Sequence, residues 1–210
     1  MTKGGLTKHL QSCAQRQAVI AAADSGKGRE ETIYHLQVAD VYSRYFWLHL
    51  EMNGSARLQE LDRYLRAIWL ECCGHMSEFF VGGAWANEVS MSKRVDQALG
   101  SGAQLTHIYD FGTSSETRIK AVASRQGKPT TKHPIALMAR NEMPEALCLE
   151  CGEPATCLCM ECLYEEGESG FLCDAHAKDH PHEGYGEPTP LYNSPRMGMC
   201  GYDGPAEPPY

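Results

Sequence analysis

Eight potential metal ligands fall within 35 residues near the end of this chain: Cys148-x-x-Cys151, Cys159-x-x-Cys162, Cys173-x-x-His176 and His180-x-His182. A two-residue gap lets both side chains of a tight knuckle reach one tetrahedral ion, so four pairs supply the donors for two zinc ions. Few large apolar residues accompany them, Leu163, Phe171 and Leu172 among them. A unit this small cannot bury enough surface to fold without a staple, and the ions are expected to provide it. With every ligand used, each shell is closed and has no position for a reacting water. Such sites are structural, which argues against a zinc hydrolase.

The rest of the chain differs in composition. Seven of the ten cysteines lie between Cys148 and Cys200, leaving Cys13, Cys72 and Cys73 in the first part. Residues 146–210 hold 2 basic and 12 acidic side chains, a net of −10, whereas residues 1–145 hold 17 and 15, a net of +2. The start, Met1 to Leu10, is polar and shows no apolar signal region. Apolar runs such as Ala18 to Ala23 are far shorter than the ~20 residues a membrane helix needs. A cytoplasmic location follows as the expectation, where dense cysteine reads as metal ligation before disulfides. Hydrophobic content of 42% with 22% charged residues excludes a wholly disordered or collagen-like chain.

Along the chain, Leu6 to Ala23 reads as one helix, broken by Asp24-Ser25-Gly26-Lys27-Gly28. Ile33 to Val38 and Tyr45 to Met52 read as two antiparallel strands, with Phe46, Leu48, Leu50 and Met52 on one face by period two. Asn53-Gly54-Ser55 forms a turn and helix N-cap. Behind it Leu58, Leu61, Leu65, Ile68, Trp69 and Cys72 recur at steps of three and four, giving a helix expected to end at Gly74. Further strands are predicted at Ser77 to Val81, Leu105 to Phe111, Thr117 to Ser124 and Pro134 to Ala139, with breaks such as Gly82-Gly83 and Gly100-Ser101-Gly102 between them. The expected fold class is α+β: a mainly antiparallel sheet covered by one central helix, plus a small zinc-stabilised C-terminal module. The divisions are an N-terminal helix and linker over 1–30, the α+β domain over 31–145, the zinc module over 146–184, and a Pro/Gly/Tyr-rich tail over 185–210. That tail is expected to be mostly extended, draped on the body or disordered.

The order of the ligand pairs resembles the B-box and related cross-brace zinc fingers. That resemblance implies one site from Cys148, Cys151, Cys173 and His176, and a second from Cys159, Cys162, His180 and His182. Two features depart from the family: Cys157 stands two residues before Cys159 and competes with it as a ligand, and the His180-x-His182 gap is narrow. The central domain, with Phe46-Trp47-Leu48, Leu58-x-x-Leu61, Cys73-Gly74-His75-Met76-Ser77-Glu78-Phe79 and Tyr109-Asp110-Phe111-Gly112, resembles the plasmid pRiA4b ORF-three-like family. The stretch Asn193-Ser194-Pro195-Arg196-Met197-Gly198-Met199-Cys200-Gly201-Tyr202 is similar to one in members carrying a C-terminal zinc module. The likeness implies an α+β domain from proteins linked to plasmids, phages and insertion elements. The Trp and His that members carry after the Asp-Phe-Gly turn are replaced here by Thr113 to Arg118.

Two weaker constellations remain. Gly5 to Cys13 looks like the helical half of a Cys/Cys/His/Cys finger, with His9 and Cys13 one turn apart, although its Cys-x-x-Cys half is missing; a distant residue such as Cys200 is one way to complete it, and a plain exposed helix is the simpler reading. Cys72, Cys73, His75, Glu78 and Asp110 form a Cys/His/acid grouping outside the zinc module, read first as packing and capping residues. No nucleophile-elbow or phosphate-loop pattern occurs. The expectation is therefore a non-enzymatic zinc-binding interaction protein associated with a mobile element, its partner another protein contacted through Tyr185, Tyr192, Tyr202 and Tyr210. The rival is a nucleic-acid-binding protein using Lys93, Arg94, Arg118, Lys120, Arg125, Lys128 and Lys132, which a net of +2 supports weakly. A cysteine/histidine enzyme stands third.

Overall fold

The computed structural model describes residues 3–71, 73–100, 102, 104–182 and 184–210. Cys72 and Ser101, singled out in the sequence, lie outside the described residues. The alternation at 46–52 places Leu48, Leu50 and Met52 on one face, and they are fully buried. They lie on β2 (Trp47–Asn53), which pairs antiparallel with β1 (Glu31–Asp40) so that Leu36 faces Leu50 and Val38 faces Leu48. The helix α3 (Leu58–Leu65) covers this face with Leu58, Leu61 and Leu65, and a π-helical turn at 66–70 adds Ile68, Trp69 and Leu70.

After α3 come β3 (Ser77–Val81), β4 (Asn87–Val89), a short helix α4 (Val95–Leu99), β5 (Gln104–Tyr109), β6 (Ser115–Gly127) and β7 (Ile135–Arg140). Among the described residues the strands form a seven-stranded sheet in the order β4-β3-β5-β6-β1-β2-β7, every neighbour antiparallel. This is the α+β class expected from the sequence. Among the described residues no helix is long and apolar enough to cross a membrane.

The expected N-cap at 53–55 and helix end at Gly74 are both displaced. Arg57 occupies the N-cap without a side-chain bond, because the backbone carbonyls of Lys93 and Met91 accept from Leu58 N–H and Gln59 N–H. In return Gly54 and Ala56 carbonyls accept from Asp96 and Val95 N–H at the start of α4, so the two helix starts satisfy one another. At the other end the wider π-helical turn lets the chain leave at Glu71, already extended at φ −78° and ψ 121°.

The N-terminal segment is two helices rather than one: α1 (Lys3–Ser12) and α2 (Ala14–Ser25). Cys13 between them is extended, with φ −63° and ψ 119°. The pair is tied to the sheet face opposite α3, where Arg16 meets Glu51 at 2.8 Å and Asp24 accepts from Lys128 N–H. Beneath it His35 and His49 lie buried, their Nε2 and Nδ1 2.7 Å apart.

Past Arg140 a second, three-stranded sheet forms from β8 (Cys157–Leu158), β9 (Phe171–Leu172) and β10 (Thr189–Pro190) in the order β10-β8-β9. The helix α5 (Asp174–Lys178) follows β9. The tail then drapes on the body. Asn193 and Asn141 exchange hydrogen bonds of 2.7 and 2.9 Å where the chain leaves and rejoins the large domain. Ser194 donates to the Trp69 carbonyl, and Arg196 is wholly buried with Nη2 2.7 Å from Asp110 Oδ2.

Candidate metal centres

Each pair of the ligand run is presented by its own short turn. Cys148 opens a hairpin in which it accepts from Gly152 N–H and donates to the Glu153 carbonyl; Gly152 takes φ +73°, a turn a side chain would strain. Cys159 follows β8 directly and Cys162 begins a π-helical turn, with the Cys162 N–H 3.5 Å from Cys159 Sγ. Cys173 is the N-cap of α5 and His176 lies within that helix. His180 and His182 come from the segment after it.

The donors converge in two sets. Cys148, Cys151, Cys173 and His176 form one, and Cys159, Cys162, His180 and His182 form the other, each with all its donor atoms within 4.8 Å of one another. Around a tetrahedral ion with bonds of about 2.0–2.3 Å, donors stand about 3.3–3.8 Å apart. In the first set Cys151 Sγ is 3.9 Å from Cys173 Sγ, and His176 Nδ1 is 3.5 and 3.3 Å from the sulfurs of Cys148 and Cys173. In the second, His182 Nδ1 is 3.7 and 3.1 Å from Cys159 and Cys162, with His180 Nε2 3.2 Å from Cys162 and 3.1 Å from His182. These are the spacings of donors aimed at a shared cation.

Electrostatics favour the same reading. Burial works against the Cys148 thiolate, but N–H groups of Cys173, Cys151 and Glu150 outweigh it and hold its pKa at about 6. Burial and the neighbouring Cys159 push the Cys162 thiol up to about 12. Two thiolates this close repel one another unless positive charge sits between them. His182 turns its other nitrogen, Nε2, toward Glu166 Oε1 at 3.3 Å. A carboxylate there fixes the ring orientation of a ligating histidine. Glu166 is not part of any ligand spacing, so the sequence pattern offers no means of finding it.

Cys157 joins neither set; its sulfur is 3.7 Å from Oγ1 of Thr156, the residue just before β8. His9 and Cys13 do not form a finger half. The break at Cys13 removes them from a common helical face, and no donor group among the described residues contains either. Cys200 instead joins Cys73 and His75 in a third group. Glu78 is on β3 and enters no donor group among the described residues. Three of the four tail tyrosines serve the fold. Tyr202 is buried, Tyr192 packs against it with ring centroids 5.9 Å apart, and Tyr210 stacks on His133 at 4.0 Å. Tyr185 alone of the four is left beside an exposed neighbour, Tyr164, 5.9 Å away.

No protein-family profile matches the chain, and no curated protein does. Among solved structures, a protein of unknown function from Methanosarcina mazei Go1 is similar at 16% identity, over 59% of this chain and 76% of that one, with a TM-score of 0.45.

Proposed function

We propose that the chain is a non-enzymatic interaction protein in which two zinc ions hold an acidic recognition module on an α+β body. The observation carrying this reading is the convergence of the eight donors into two complete sets of four, three sulfurs with one imidazole and two with two. Thiolate and imidazole donors in tetrahedral fours suit zinc, and a fourth protein donor leaves no place for a substrate. The cross-brace resemblance and the pRiA4b-like body, with its link to mobile elements, agree with an adaptor role.

The chemistry of the partner follows from the module's surface. Residues 146–210 carry a net of −10, and Arg196, one of their two basic residues, is buried against Asp110. Tyr164 and Tyr185 stand exposed beside Glu165, which accepts from Tyr185 Oη at 2.7 Å. Aromatic rings ringed by carboxylates suit a protein segment rich in Lys and Arg. The rival, phosphate binding, loses support where its cations are already engaged. Arg125 bonds Glu51, Arg94 bonds Asp96, and Lys128 Nζ donates to the Asp24 and Gly26 carbonyls.

Two measurements test the reading. Cobalt replacing the bound metal is expected to give thiolate charge-transfer bands, and the part contributed by these eight ligands should not respond to added azide, because their shells are full. In a mobility-shift assay at physiological salt, duplex and single-stranded DNA and RNA should remain unbound. An azide-sensitive band that survives replacement of Cys73, His75 and Cys200, or a salt-dependent sub-micromolar shift, would reject it.

A further inference from the structure

The third donor group lies outside the ligand run and joins residues 127 positions apart. Cys73 Sγ is 2.9 Å from His75 Nδ1 and 3.8 Å from Cys200 Sγ. The group spans the loop between α3 and β3 and the C-terminal tail, and both cysteines are exposed. We propose that Cys73, His75 and Cys200 form a third metal site, for zinc or a similarly soft divalent ion, which fastens the tail to the edge of the α+β body.

Four observations support it. The sulfur separation is the edge of a tetrahedron around a thiolate-bound ion, and nearly twice the length of a disulfide bond of about 2.05 Å. All three loops carrying a Cys-Gly pair turn alike: Gly74, Gly152 and Gly201 have φ of +68°, +73° and +63°. Gly152 belongs to the first donor set, so the same knuckle recurs at Cys73 and at Cys200. Cys200 itself is at φ +51°, a region L-residues enter at a steric cost and keep where surrounding contacts demand it. Last, Asp110 Oδ2 is 3.6 Å from His75 Nδ1, the nitrogen that also faces Cys73 Sγ, so a carboxylate adds negative charge beside the donors that a cation would balance.

The tail is built to deliver Cys200 to this place. Four residues earlier, Arg196 donates to Asp110 Oδ2, to the Thr113 carbonyl at 2.9 Å and to Ser115 Oγ at 3.1 Å, and its guanidinium lies 4.8 Å from the Tyr109 ring centre. From the other side Glu71 Oε1 accepts from Gly74 N–H at 2.6 Å and shapes the Cys73-Gly74-His75 loop. Asp110 therefore links both halves, bonded to the arginine that docks the tail and facing the histidine of the site.

The site is tested on the full chain, purified without chelator or oxidant, by elemental analysis with circular dichroism as the check on folding. The chain should carry three zinc ions per molecule. Cys200→Ser and His75→Ala, both at accessible positions, should each carry two and leave amides 193–206 less protected from hydrogen exchange. Cys148→Ser should retain the Cys73/His75/Cys200 ion, read as the share of the cobalt thiolate absorbance that is lost when Cys200→Ser is added, the remainder coming from the Cys159/Cys162/His180/His182 set. A wild-type content of two ions, an unchanged content in both single variants, or a Cys73–Cys200 disulfide in a thiol count would overturn the proposal. Because those readouts concern the third group alone, it can fail while the two sets of four, and the role proposed for them, stand.

Discussion

The α+β body and the Cys/His module are made cohesive by different means. In the body, Leu36, Val38, Leu48, Leu50, Leu61, Leu65, Ile68 and Trp69 are buried in one continuous cluster between α3 and the sheet. At the centre of the module the buried cluster is Cys148, Cys159, Cys162 and Leu172, so three of its four residues are candidate ligands. Its strands are two residues long and its helix five. A core made of ligands has little apolar surface with which to resist the conformational entropy of its own chain. Removing metal should therefore act on one region and removing apolar volume on the other.

The largest effect is expected from chelation. Structural zinc contributes about 10–16 kcal/mol in small finger domains. Hydrogen exchange after treatment with a strong chelator should show amides 148–182 losing protection while those of β1, β2 and β6 keep theirs. Protection retained in both regions would erase the contrast.

Next in size is Trp69→Ala, which empties a fully buried site in the body and should cost about 3–5 kcal/mol in denaturant unfolding. The bound metal should stay at the wild-type content under native conditions. Loss of metal in that variant would mean that the regions fold as one unit.

A third effect tests the polar face of the sheet. Burial, then the neighbouring His49 and Arg16, lowers the His35 pKa from 6.5 to about 4. The unfolded chain takes up its proton near pH 6.5, whereas the folded protein resists until about pH 4. Stability accordingly falls as pH drops across that window, by up to about 3 kcal/mol, and levels off below it. His35→Gln should flatten the slope of stability against pH between those limits. An unchanged slope would assign the acid sensitivity to the ligands of the module.

The smallest effect is expected from Cys157→Ser. Since Cys157 enters neither donor set, metal content and melting temperature should match the wild type. Loss of one ion would show Cys157 replacing Cys159 and redraw the second site.

The features legible in the sequence are those written in short-range periodicity. The alternation from Phe46 to Met52 and the three-and-four spacing from Leu58 to Trp69 give the sheet-and-helix core, because burial on one face dictates which residue types recur. Paired ligands reveal the module for a similar reason, since tetrahedral geometry restricts the gap. Long-range polar pairing leaves no such trace. Arg196 sits in a Pro/Gly/Tyr-rich stretch whose composition leaves draping on the body and disorder both open, yet its charge is buried against Asp110, 86 residues earlier. β4 and α4, three and five residues long, are too short for either period to show. The interruption at Cys13 lies inside a run of good helix formers and depends on how α1 and α2 meet the sheet.

The paired amides of Asn141 and Asn193 have an architectural consequence. They hold the two strands of chain that enter and leave the Cys/His region side by side, so everything between them is a cassette inserted at a single point of the body. Excising residues 142–192 and joining the ends with a short flexible bridge should still bring Arg196 to Asp110. The same junction is then a port through which a different recognition element can be spliced onto this scaffold.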